Sequence, residues 1–275
     1  NVATDKGISF GPHRIHISGT GVNGEGAIVH LANKNFTFCK LKLDGDAKIV
    51  SRHSNGVFIL GPYSSTHGRC ELFGHTLTVE TATSLSMYRN ELVGDQGGLI
   101  RIASGDLVFA SESGYDNPFL CVEPNAGAFS MAKSGTIFIK RDVPNIEVPL
   151  TIESGADVMI KHIHESNASD CCFNADSNSW AGAVTIEENA KLRMRIDRSK
   201  GGRHFRISGR ISGAGSLDVP CREGSSTVSG DVYIDSPTNS FAGTFFTGTN
   251  INSGSVYLSY SNSVPDYTRV NLVDG

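Results

Sequence analysis

The feature that most restricts what this chain can become is a repeated unit made of a short strand, a tight polar corner and a second short strand. LKLDGDAKIV from Leu41, LTIESGADVMIKHI from Leu150 and VTIEENAKLRMRI from Val184 share that layout, and looser copies begin at Ile100, Met131, Ile211 and Ile251. Within a copy the apolar residues fall at every second position, as in Val158 and Ile160 or Leu192, Met194 and Ile196. That is the period of a strand with one buried face, and no helical period competes with it. The corners carry Gly45, Gly105, Gly135, Gly155, Gly213 or Gly254, with Asn189 in one copy. Gly and Asn are the residues that best tolerate positive φ, so each corner is expected to turn through that region.

Hairpins would place two-residue Asn-Gly or Asp-Gly loops between antiparallel strands. Here the corners recur at an irregular spacing of roughly 20 to 35 residues, which suits the stacked coils of a solenoid. The expected fold is an all-β, right-handed parallel β-helix of roughly 25 residues per coil, with like residues of successive coils stacked about 4.8 Å apart. A β-sandwich pair is the alternative. No Pro-rich or Ser-rich linker interrupts the pattern, so residues 1–275 are expected to form a single β-helix domain, read as a fragment of a larger exported protein. SGYDNPF around Tyr115 and the stretch from His164 to Trp180 resist the pattern and read as loops thrown out of a coil.

Composition narrows function by exclusion. The 24 basic and 28 acidic side chains leave a net charge of −4, which supplies no global field for nucleic acid or an anionic membrane. No aromatic residues interleave with Lys191, Arg193 and Arg195 along their strand, so nucleic acid is not an expected partner. No apolar run reaches the length of a membrane helix, so no membrane contact is expected of this stretch. The cysteines, Cys39, Cys70, Cys121, Cys171, Cys172 and Cys221, show no CxxC pair and no metal-type spacing. Three lie in strand contexts, where a thiol behaves as a small buried hydrophobe.

From Gly209 the chain runs GRISGAGSLDV and then GSSTVSGDVYIDSPTNSFAGTFFTGTNINSGSVYLSYSNSVP. The opening ISGAGSL, the strand VYID, the turn NSFAGT and the pair NINSGSVYLS make residues 209–265 similar to the autotransporter-associated β-strand repeat. VPCREGSS departs from that pattern, where a compact Gly-rich turn is usual. The resemblance implies a passenger-type β-helix in a secreted or cell-surface bacterial protein, serving as stalk, adhesin or scaffold. It carries no shared catalytic residues.

The strongest local signal is KLRMRIDRSKGGRHFRISGR, in which Lys191, Arg193 and Arg195 alternate with apolar residues and therefore share an outer face. Arg198, Arg203 and Arg206 continue the charge. Such a stripe fits the carboxylates or sulfates of an acidic polysaccharide, including host or cell-surface glycans. Aligning the copies places Asp157 near Lys191 and Met159 beside Arg193, which predicts partial neutralisation. His162 and His164 lie two apart on a strand and are weak candidates for metal ligands, since a third and fourth ligand are missing. No cofactor is expected. For catalysis, Asp170 and Asp176 in the long loop, with Lys161 and Arg195 on the adjacent sheet, form the sole combination of acids and bases worth testing. The expected function is a structural or adhesive surface module, with a β-helix polysaccharide lyase or glycoside hydrolase as the alternative. Uncapped coils would also favour end-to-end self-association.

Overall fold

The computed structural model describes residues 8–61, 68–88, 90–94, 96–110, 120–122, 125–140, 146–163, 179–196, 204–219, 231–248, 256–261, 263–265 and 269–273. It is a parallel β-helix: every strand pairing among the described residues is parallel, and each strand hydrogen-bonds to its counterpart one coil away. That removes the sandwich alternative, whose sheets would be antiparallel. The chain divides into two compact units, Asn1–Gly135 and Thr136–Gly275.

Three sheet faces wrap the core of the N-terminal unit. On face N1, Arg14–Gly19, the start of Lys40–Ser51, Gly68–Glu71, Asn90–Val93 and Leu120–Val122 follow one another. Face N2 stacks Ile28–His30, the end of Lys40–Ser51, the start of Thr76–Tyr88, the start of Leu99–Ala110 and Ala128–Met131. Face N3 stacks Ile8–Ser9, Phe36–Phe38, Phe58–Leu60 and the far halves of Thr76–Tyr88 and Leu99–Ala110. The long strands pass a corner and serve two faces.

Because strands alternate, one residue in two points inward, and equal positions on successive coils form rows. Ile49, Val79, Ile102 and Met131 make one such row, and all four are buried. Phe36, Phe38 and Phe58 fill the space inside N3, with ring centroids 4.9 to 6.1 Å apart. Burying side chains of this size stabilises the fold by roughly 1.5–3 kcal/mol each, before chain entropy is set against it.

The C-terminal unit has the same logic. Face C1 stacks Ser179–Trp180, His204–Ile207, Asp231–Ile234 and Val256–Leu258. Face C2 stacks Leu150–Ile152, Val184–Ile186, Ile211–Gly213 and Ser240–Phe241. Face C3 stacks Asp157–Ile163, Lys191–Ile196, Ser216–Asp218, Thr244–Gly248 and Arg269–Val273. Trp180 is fully buried and its indole N–H donates to the Val148 carbonyl at 3.0 Å. Asn239, also buried, accepts from the Ile211 amide and donates to the Ser263 carbonyl, both at 2.8 Å, so one amide side chain ties three coils together.

The corners divide into two kinds. Gly105, Gly155, Gly213 and Asn189 turn at φ 92°, 78°, 103° and 61°, as the sequence predicts. Gly135 does not take positive φ; a Cβ there would stand 2.8 Å from the Gly105 carbonyl oxygen, so close backbone approach is what requires glycine. Gly45 likewise turns without positive φ, and it occupies a different corner from Gly105: LKLDGDAKIV joins N1 to N2, whereas Leu99–Ala110, which carries Gly105, passes from N2 to N3. Copies that look alike in sequence therefore mark more than one edge of the coil.

Candidate functional site

The basic stripe lies on C3. The strand Lys191–Ile196 points Leu192 and Met194 into the core and Lys191, Arg193 and Arg195 outward. Asp157 stands in register with Lys191, Met159 with Arg193 and Lys161 with Arg195, which is the alignment that the repeat predicts. On the next coil Ser216 and Asp218 follow Lys191 and Arg193.

The ion pairs run diagonally across this lattice. Arg193 Nε meets Asp157 Oδ1 at 2.6 Å, while Lys191 Nζ reaches Asp218 Oδ2 at 3.4 Å. Burial pushes the Asp218 carboxyl above the ordinary Asp value, and the nearby Lys191 and Arg193 only partly offset that effect. On the three adjoining C3 strands Asp157–Ile163, Lys191–Ile196 and Ser216–Asp218, four cations, Lys161, Lys191, Arg193 and Arg195, stand with two carboxylates, Asp157 and Asp218.

Arg206 is not part of this stripe. Its strand, His204–Ile207, belongs to C1, where the guanidinium bonds Asp235 and lies 5.1 Å over the Tyr233 ring. Tyr233 in turn stacks on Tyr257 at 4.5 Å with nearly parallel planes. The run KLRMRIDRSKGGRHFR is continuous in sequence but crosses from one face to another. Arg198, Arg203, His164, Asp170 and Asp176 lie outside the described residues. His162 follows Lys161 on its strand, opposite Ile196. Among the described residues no group of three or more His, Cys, Asp or Glu could hold a metal ion.

A second basic array, which the linear sequence does not advertise, lies on N1. Arg14, Lys40 and Arg69 stand in register on three successive coils, with Glu91 on the fourth. The neighbouring row is His16, Lys42, Glu71 and Val93. Glu71 is the organising group: its side chain is only 5% exposed, its Oε1 accepts from Arg14 Nη2 at 3.0 Å, and the same oxygen forms an ion pair with Arg69 Nε at 2.8 Å. Both guanidiniums are 45% exposed beyond that anchor. At the corner Asp44 pairs with His16 at 3.0 Å and Lys42 at 3.3 Å, and hydrogen bonding to His16 holds its carboxyl below the ordinary Asp value. Lys42 also lies 5.2 Å over the Phe73 ring.

The signal for this array is present but dispersed: RIHI at Arg14, KLKL at Lys40 and RCEL at Arg69 each place a basic residue immediately before an inward apolar one. None of these tetrapeptides is unusual alone. The same strands bury the thiols of Cys39 and Cys70; burial, with Glu71 beside it, pushes the Cys70 thiol up to about 12, so it stays protonated and unreactive at neutral pH.

No helix among the described residues is long and apolar enough to cross a membrane. No family model, curated protein or solved structure matches the chain.

Proposed function

We propose that the chain is a structural or adhesive module of an exported, cell-surface bacterial protein, and that its outer faces hold acidic glycans. The observation that carries this reading is the lattice on C3, where Lys161, Lys191, Arg193 and Arg195 stand side by side on two adjoining coils and face outward. Guanidinium and ammonium groups repeated along a sheet face suit a long ligand with repeated carboxylates or sulfates. The resemblance of residues 209–265 to the autotransporter-associated repeat supports the exported, bacterial setting. Coil-to-coil backbone bonds supply the rigid surface that presentation needs.

The test is retention of the full chain on immobilised polygalacturonate and heparin, with the released glycan sized afterwards. Salt-sensitive retention with glycan of unchanged length, weakened by Arg195→Glu, is the expected result. Shortened glycan would replace this reading with a lyase or hydrolase, and absence of retention on both columns would remove the glycan altogether.

A further inference from the structure

The geometry points to a second glycan site in the N-terminal unit, in which Arg14, Lys40 and Arg69 form a preorganised cradle for the carboxylate or sulfate of an acidic polysaccharide. It deepens the proposed function and rests on that reading for the class of ligand.

Three features of N1 carry it. First, the three cations are in register on consecutive coils, about 4.8 Å apart along the stack, so their charges repel and a bridging anion relieves the repulsion. Second, the buried Glu71 anchors both guanidiniums, accepting a hydrogen bond from Arg14 Nη2 and pairing with Arg69 Nε. Both guanidiniums stay 45% exposed while that anchor holds them, which lowers the ordering entropy a ligand must overcome. Third, Lys40 lies between the two arginines and has no carboxylate at ion-pair distance among the described residues, while its neighbour Lys42 is engaged by Asp44.

The surrounding charges set the limit on ligand size. Glu91 closes the row at one end, and Asp44 and Asp46 stand at the N1–N2 corner, so the cradle accepts an anionic group from the open side rather than a densely charged strand laid across the whole face. The aromatic ring beside the cradle, Phe73, has Lys42 over its face and offers no platform for a nucleic-acid base. An acidic sugar chain, with its charges separated by neutral ring atoms, is the polyanion that fits.

Lys40→Gln is the decisive variant, because Lys40 supports no other side chain and its loss should leave the fold intact, as checked by circular dichroism and the denaturation midpoint. Binding of the full chain to heparin and to polygalacturonate, measured by titration calorimetry at low salt, is expected to weaken about fivefold for at least one of the two. Lys40→Arg should restore it. The two glycans separate sulfate from carboxylate as the preferred group. If Lys40→Gln and Arg69→Gln bind both glycans like the unaltered chain while Arg195→Glu does not, this site is wrong and the proposed function stands. If the unaltered chain binds neither glycan, both fall. If a single-stranded DNA of matched charge binds as tightly and with the same sensitivity to Lys40, the ligand class is wrong.

Discussion

The two basic faces, C3 and N1, are built from the same kinds of side chain and differ in where their acids stand. On C3 the carboxylates occupy the outer lattice itself: Asp157 is 43% exposed and takes Arg193, and Asp218 takes Lys191 from the following coil. On N1 the principal carboxylate, Glu71, is buried beneath the cations and shared by two of them. An exposed acid competes with an incoming anion for the same guanidinium. A buried one cannot leave, so it fixes the guanidinium while leaving its outer donors to a ligand. Local charge count alone therefore misjudges both faces: a surface rich in basic residues can engage some of them with its own exposed acids, and one modest in number can be poised.

The sharpest way to break this contrast is to remove the buried acid. Glu71→Gln should destabilise the N-terminal unit by about 2 kcal/mol, since it removes the charge behind the hydrogen bond from Arg14 and the ion pair with Arg69 at a buried position. It should also weaken glycan binding, because the arginines lose their anchor. Asp157→Asn, at an exposed position, should cost less than about 1 kcal/mol. Equal losses in urea midpoint for the two variants would show that burial of the acid is not what separates the faces.

A smaller effect distinguishes the units by pH. His30 is buried against Ser51, with Nδ1 to Oγ at 3.2 Å, and burial, aided by the charge of nearby His53, lowers its pKa from the ordinary 6.5. A histidine with a depressed folded value contributes stability that is present above 6.5 and is lost as pH falls through the folded value. Asp218 works in the opposite sense. Its raised value means that its burial favours the protonated form, a contribution present below 3.8 and lost as pH rises through the folded value. Between pH 7 and pH 5 the urea midpoint of the unaltered chain should thus fall more than that of His30→Gln. Asp218→Asn should remove a gain that the unaltered chain shows on further acidification toward pH 4. Parallel pH profiles for the unaltered chain and His30→Gln would overturn the assignment to His30.

How much of this was legible in the sequence follows from the distance over which each feature is encoded. Period-two alternation is local, so the strands at Val158, Leu192 and Ile100 and the parallel β-helix itself could be read directly. Aligning LTIESGADVMI with VTIEENAKLRM also recovers the register of Asp157 with Lys191 and Met159 with Arg193, because these copies mark the same corner. The resemblance in form between LKLDGDAKIV and the copy at Ile100 conceals a different corner, since a polar Gly turn is needed wherever a coil bends. The C3 stripe was visible because its cations are adjacent on one strand, whereas the diagonal pairing to Asp218 needed the third coil. Arg14, Lys40 and Arg69 were hard to see for the same reason: each contributes one member of the array from its own strand, and the coils between them vary in length enough to disperse the signal. Arg206 shows the converse, a residue near in sequence that the next strand carries to another face.

The smallest expected effect is also the one that bears most directly on the role of the exposed acids. Asp157→Asn keeps the shape of the side chain and its hydrogen-bond acceptor but removes the charge that holds Arg193 Nε. If Asp157 competes with a ligand, the variant should bind heparin or polygalacturonate roughly 2- to 3-fold more tightly, the scale of an exposed ion pair, and the dependence of binding on salt should steepen. If Asp157 instead orients Arg193 as Glu71 orients its arginines, the same change should weaken binding. The sign of one modest shift, measured beside that of Glu71→Gln, decides whether depth of the acid is what converts a neutralising carboxylate into an organising one.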